Sequence, residues 1–261
     1  MTALHWRGVS LQKGEARILQ DVTLSAKGGE LLGIIGPNGA GKTALLRCAA
    51  GLEGGGLAKR IAVGGVSSDR LSANARARAM AYLPQKAETA WPITVSEAVA
   101  LGRLPHGRVR HPKDHEAIAR ALDAVGMAAF AHRSLTTLSG GECALVMLAR
   151  ALAVESDVLL LDEPVAALDP HHQLATMILL RRLADEGKTV CVVLHDLTMA
   201  ARFCHRVAVL HAGRLVAEGA PDGVLTDALL DQVYAIRGVR EQIEGGYLLV
   251  PWERLPVSRE P

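Results

Sequence analysis

Residues 31–43 read Leu-Leu-Gly-Ile-Ile-Gly-Pro-Asn-Gly-Ala-Gly-Lys-Thr, an apolar run that breaks into glycines just before the helix-forming stretch Ala44–Ala50. No other feature constrains the fold as strongly. An uninterrupted apolar run suits a strand buried on both faces, as in a parallel sheet covered by helices. Gly36-Pro37-Asn38-Gly39-Ala40-Gly41-Lys42-Thr43 then matches G-x-x-x-x-G-K-[ST] where the chain must turn from strand into helix. Glycines there let successive N–H groups point inward, and the next helix presents its positive end to the same anion. Such a loop fits the phosphates of ATP, with Lys42 reaching the β- and γ-phosphates and the Thr43 hydroxyl ligating Mg²⁺.

Comparable runs recur at Val158–Leu161 and Val190–Leu194, with helical stretches at Glu116–Val125 and Ala144–Val154 between them. The alternation predicts an α/β fold whose ligands lie beyond the carboxyl ends of the strands. Apolar residues make up 49% of the chain and aromatics only 3%, so Ala, Leu and Val must build the core. Val207–Leu210 and Arg214–Ala217, joined across Ala212-Gly213, read as a hairpin, which adds antiparallel sheet. Lys86–Arg110, with its prolines and glycines, reads as an irregular entrance to a helical insertion that closes near Val154. The tail from Glu241 is compatible with a short hairpin and carries no recognisable chemistry.

A formal charge of +2 and the lack of any dense Lys/Arg block give a nucleic-acid surface no compositional support. The start, MTALHWRGVS, is unlike a secretory signal, and no run approaches the roughly 18 apolar residues of a membrane span, so a cytosolic chain is expected. Cys48, Cys143, Cys191 and Cys204 are far apart and read as reduced hydrophobes. The histidines His5, His106, His111, His115, His132, His205 and His211 show no metal-ligand spacing, and His171-His172 reads as solvated surface or interface packing.

Two further stretches carry chemistry. Asp162 and Glu163 stand at the end of the apolar run Val158–Leu161, where one carboxylate can hold Mg²⁺ and the next can polarise a water as general base. Leu138-Ser139-Gly140-Gly141-Glu142 precedes the run Ala144–Ala153; Ser139 and Glu142 form an S-x-x-E capping box, and the paired glycines leave N–H groups open to an anion.

With that stretch the sequence resembles the ABC ATPases, whose signature is LSGGQ or LSGGE. The resemblance implies a P-loop core with mixed sheet, an antiparallel β subdomain and a helical insertion. It also implies two subunits packed head to tail, so that Ser139, Gly140, Gly141 and Asp169 of one serve the nucleotide held by Gly36–Thr43 of the other. Gln85, after the strand-like Ala81–Leu83, matches the glutamine that senses Mg²⁺ and the attacking water. His195, directly after Val190–Leu194, matches the switch histidine at the γ-phosphate, and Glu163 matches the general base. Cys143 stands where a larger polar residue is common. Gln12-Lys13-Gly14 occupies the early loop where the family stacks adenine on an aromatic ring, and Trp6, just before a probable strand, reads as packing.

Tyr82-Leu83-Pro84-Gln85, Trp91-Pro92 and Val99–His106 resemble ATPases of importers for iron chelates, haem and cobalamin. That likeness implies a homodimer on the cytoplasmic face of the membrane, permease subunits that dock against the segment after Gln85, and a substrate-binding protein as indirect partner. The domains implied are an ABC ATPase of residues 1–240, with its core at 1–85 and 156–240 and its helical subdomain at 86–155, and a tail at 241–261. Other importers or exporters, and a soluble ABC protein acting on nucleic acid, are the alternative readings; the absence of a second cassette or basic extension disfavours the last.

Overall fold

The computed structural model describes residues 2–54, 57–85, 92–107, 111–243 and 246–256. Two long strands, β1 (Thr2–Lys13) and β2 (Ala16–Lys27), pair antiparallel and lead into β3 (Glu30–Ile35), whose six residues are all buried. Helix α1 (Lys42–Ala49) follows the glycine-rich loop, then the short strands β4 (Ile61–Val63) and β5 (Val66–Ser67), helix α2 (Ala73–Ala79) and β6 (Met80–Leu83). A helical section comprises α3 (Val95–Ala100), a 3-10 segment Leu101–His106, α4 (Pro112–Ala124) and α5 (Gly140–Leu152). The chain returns through β7 (Val158–Asp162), α6 (Pro170–Asp185), β8 (Thr189–Val193), α7 (Leu197–Phe203), β9 (Arg206–His211) and β10 (Arg214–Gly219). Helices α8 (Pro221–Val224) and α9 (Asp227–Tyr234) and a hairpin of β11 (Ile236–Ile243) and β12 (Gly246–Arg254) complete it.

The central sheet has the order β10-β9-β3-β8-β7-β6, parallel except for the antiparallel edge strand β10. Period-two alternation divides its side chains between two cores. Leu31, Leu159, Leu161, Val190 and Val192 face the helices, whereas Leu32, Ile34, Val158, Leu160, Cys191 and Val193 face α1 and the second sheet, β2-β1-β4-β5. This is the α/β architecture expected, with mixed and antiparallel sheet, and the boundaries of β3, β7 and β8 lie within a residue of the apolar runs. The hairpin β9–β10 turns on Ala212 and Gly213, both at positive φ (45° and 76°), the conformation a two-residue hairpin turn requires.

Three expectations need adjusting. Trp6 lies inside β1, where it is fully buried and its indole Nε1 donates to the Leu45 carbonyl at 3.1 Å, so it packs β1 onto α1. Within the stretch read as irregular, Thr94 caps α3 reciprocally with Glu97, a capping box that the nearby prolines obscure. The final hairpin begins already at Ile236, and its inner strand packs on α7, where the Thr198 hydroxyl donates to Leu249 O at 2.6 Å. Trp91 and residues 86–90, where the sequence places the opening of the insertion, lie outside the described residues.

Candidate active site

Neighbouring strands β3, β8, β7 and β6 deliver the site from one edge of the sheet, because parallel strands all point their carboxyl ends the same way. The glycine-rich loop follows β3, His195 follows β8, Asp162 and Glu163 end β7, and Gln85 follows β6. Gly36 is required by close approach: a Cβ there would stand 2.1 Å from the Leu210 carbonyl oxygen. Gly41, the N-cap of α1, has φ 98°, and a Cβ would meet Ile18 O and Leu19 Cδ2 at 2.8 Å.

Lys42 is buried, with a relative exposure of 6%. Its ammonium bridges the loop, donating to Gly36 O at 2.8 Å and Pro37 O at 2.9 Å. Burial pulls its pKa below the ordinary lysine range, against the opposing pull of Glu163 and Asp162. The Thr43 hydroxyl donates to Asp162 Oδ1 at 3.0 Å. Asp162 is the last residue of β7 and is buried rather than beyond the strand; burial raises its pKa, as does the neighbouring Glu163 charge, while the Thr43 bond lowers it. Asn38 and Gly39 are exposed at the rim, and Ala40 is buried, its N–H donating to Pro37 O at 3.2 Å.

Glu163 is the hub. Its Oε1 lies 2.5 Å from His195 Nε2, and its Oε2 accepts from Gln85 Nε2 at 2.8 Å. The expected general base, the glutamine expected to sense Mg²⁺ and water, and the histidine expected at the γ-phosphate therefore meet directly. Glu163 also has φ 53°, a left-handed backbone costing on the order of 1 kcal/mol that turns its side chain out of the strand direction.

These residues line an open cleft of about 1130 Å³, whose walls run from Gln85, Glu163 and His195 past the loop to Ile18, Ala44 and Arg47. Sequence reading misses the far end. Lys13, in the loop expected to hold an aromatic ring, donates to Glu53 Oε1 at 2.8 Å, and Arg47 Nε reaches the same oxygen at 3.0 Å. Glu53 and Lys13 are 40 positions apart, so no local pattern could signal the triad. Tyr82, which the sequence marks only by its likeness to importer ATPases, also joins the site: its hydroxyl stands 3.5 Å from Asp162 Oδ2, and burial, then the Asp162 charge, push it up to about 12.

Ser139, Gly140, Gly141 and Asp169 do not line that cleft. Ser139 caps α5 in the expected box, its backbone N–H donating to Glu142 Oε2 at 2.7 Å and its hydroxyl accepting from Glu142 N–H at 3.2 Å. Asp169 caps α6, accepting from His172 N–H at 3.0 Å, with His172 Nδ1 2.8 Å from its other oxygen. His172 thus has a specific role as a clamp on Asp169. Ser139, Gly140 and Asp169 are exposed. Cys143 is half-buried in α5, with its Sγ 3.7 Å from Leu135 O.

The segment read as permease-facing divides in two. Arg103 is buried, its Nε donating to Asp114 Oδ1 at 2.9 Å and its Nη1 to Ala153 O at 2.7 Å and Glu155 Oε2 at 2.8 Å, and His106 Nε2 lies 2.9 Å from Val154 O. Both stake the 3-10 segment to the end of α5. Leu104, between them, is 60% exposed.

The ABC transporter profile matches residues 19–166, from β2 through the loop, the signature and the paired carboxylates. The chain belongs to the ABC transporter family of ATP-binding cassettes. Among ABC proteins it is 44% identical over 221 residues to the cobalamin import ATP-binding protein BtuD of Halobacterium salinarum, covering 84% of this chain and 55% of that protein. The chain thus spans about half the length of that relative. It is 42% identical to the hemin import ATP-binding protein HmuV of Pseudomonas entomophila, over 88% of this chain and 91% of that one. An ATP-binding cassette solved as a dimer with ADP and Pi superimposes with a TM-score of 0.73 at 28% identity, over 84% and 98% of the two chains. Among the described residues no helix is long and apolar enough to cross a membrane.

Proposed function

We propose that the chain is the ATP-hydrolysing subunit of an ABC importer for haem, cobalamin or an iron-siderophore, working as a homodimer on the cytoplasmic face of a membrane permease supplied by a substrate-binding protein. One observation carries the ATPase reading: Glu163 sits beside Asp162 with both its oxygens engaged, by His195 and by Gln85.

Hydrolysis needs a water oxygen to attack the γ-phosphorus while the bond to the ADP oxygen breaks. Lys42 and the N–H groups of residues 36–43 would bind the phosphates. Thr43 Oγ1 and Asp162 Oδ1, hard oxygens 3.0 Å apart, fit Mg²⁺ and would hold it together with Gln85. When bound, that ion neutralises developing phosphate charge. Glu163 takes the water's proton, and His195 and Gln85 hold its carboxylate in register.

The composite-site reading draws on two facts: Ser139, Gly140, Gly141 and Asp169 stand outside their own chain's cleft, and a related cassette is a dimer. The cargo reading draws on relatives named for hemin and cobalamin import. The division into a core (1–85 and 156–240), a helical subdomain (86–155) and a tail (241–261) belongs to the same reading. A permease helix would dock in the groove bordered by the segment after Gln85. The test is deletion of the gene, with uptake of haem, cobalamin and a ferric siderophore then measured. Loss of one of the three is expected; unchanged uptake of all three, with loss of another solute's transport, would overturn the cargo assignment.

A further inference from the structure

The C-terminal hairpin, whose sequence carries no recognisable chemistry, touches the helix that follows His195. Helix α7 starts on Asp196, whose carboxylate accepts from Met199 N–H at 3.0 Å, and the residue just before that cap is His195. On the other side Leu194 N–H donates to Ile34 O of β3 at 3.2 Å, so the sheet and α7 together set where His195 emerges. The far end of α7 is tied to the core twice. Arg181 Nη1 of α6 donates to Phe203 O at 3.0 Å, and His205 N–H donates to Leu31 O of β3 at 2.9 Å. Its near end is tied to the hairpin. The Thr198 hydroxyl donates to Leu249 O of β12 at 2.6 Å, and among the described residues this is the only side-chain hydrogen bond from the first turn of α7 to another element.

The hairpin is itself firmly seated. Leu249 is fully buried in the core that also holds Leu197, Ala200 and Ala201 of α7 and Leu230 and Val233 of α9. Gly238 permits the contact: a Cβ there would stand 2.8 Å from Leu249 Cδ1 and 3.2 Å from Leu230 Cδ1. Leu255 N–H closes the base of the hairpin on Ala235 O at 2.7 Å, and Arg240 pairs with Asp227 at the start of α9. Leu249 O therefore has little freedom, and a hydroxyl bonded to it shifts only if a close-packed strand shifts with it.

We propose that the C-terminal hairpin is a brace for the site, with Thr198 the positioning residue that holds the first turn of α7, and through it His195, where His195 meets Glu163. The proposal rests on the reading of His195 as the partner of the base, and it gives the tail a function. Neither Thr198 nor Leu249 lines the nucleotide cleft, so the brace acts on turnover and leaves nucleotide binding alone. Rates are sensitive to such support, since a displacement of about 1 Å that originates far from the chemistry can cost on the order of 100-fold.

The test measures ATP turnover and equilibrium ATP affinity of the full-length chain carrying Thr198→Val, Thr198→Ser, His195→Ala, or Thr198→Val with His195→Ala. Val keeps the shape of Thr and removes the hydroxyl, so Thr198→Val should lower kcat about fivefold or more and leave the Kd for ATP within about twofold. Retained affinity also shows that the variant is folded. Ser keeps the hydroxyl, so Thr198→Ser should stay within about twofold of wild type in both quantities. In the His195→Ala background Thr198→Val should lower turnover no further, because the two residues act through one contact. Wild-type turnover in Thr198→Val, an equal loss in Thr198→Ser, or an undiminished further loss in the double variant overturns the brace and leaves the reading of His195 in place. Normal turnover in His195→Ala alone overturns both.

Discussion

His195 Nε2 lies 2.5 Å from Glu163 Oε1, a contact made between the ends of two strands, β7 and β8, that are adjacent in the sheet. The register Asp162↔Val193 sets the spacing, and the left-handed backbone of Glu163 swings its carboxylate toward the histidine. On the proposed reading His195 orients the base, and its loss should impair turnover more than nucleotide binding. His195→Ala is expected to lower ATP turnover about 100-fold while leaving the equilibrium affinity for ATP nearly unchanged. Steady-state kinetics beside equilibrium binding decide it; a large rise in Kd at normal turnover would assign His195 to binding instead.

Composite sites make a separate demand. Ser139→Arg places a long cation on the exposed start of α5, away from the chain's own cleft. ATP-driven dimerisation, monitored by light scattering, should disappear, while ATP binding through Lys42 to the isolated subunit persists. Loss of monomer binding with dimerisation intact would point to a self-contained site.

Acid stability should depend on a pair far from the cleft. Glu30 is buried, which raises its pKa, but the Arg206 hydrogen bonds, at 2.7 and 3.1 Å, and the Lys27 N–H outweigh this and leave it lowered. A depressed carboxylate contributes stability that is present above its unfolded pKa and lost as pH falls through the folded one. Glu30→Gln, which leaves the half-buried Arg206 with the exposed Glu218 as its ionic partner, should cost roughly 3 kcal/mol near pH 7. The difference from wild type in denaturant unfolding should shrink below about pH 4, the unfolded carboxylate range. A difference independent of pH would assign the loss to packing alone.

Much of this fold is legible in the chain because its central strands are buried on both faces. Such strands leave continuous apolar runs, and parallel order makes each run end at the site, so Thr43, Gln85, Asp162, Glu163 and His195 are all marked by their places just past a run. The capping box at Ser139 is equally local. The features that escape a sequence reading depend on contacts distant along the chain. Arg103 resembles a surface residue until Asp114, Ala153 and Glu155 close around it, and Lys13 becomes part of the cleft only through Glu53. His172 looks bland in sequence because a helix-capping aspartate three residues earlier gives a histidine its role only once the turn is formed.

The assignment of Glu163 as general base is tested most directly by ATP turnover of Glu163→Gln, assayed with the purified protein at defined Mg²⁺. The amide keeps the shape and can still meet His195 and Gln85, but it cannot accept the water's proton. Turnover should fall by about 10²–10⁴-fold while ATP remains bound and the closed dimer accumulates. Turnover near the wild-type rate would contradict the account.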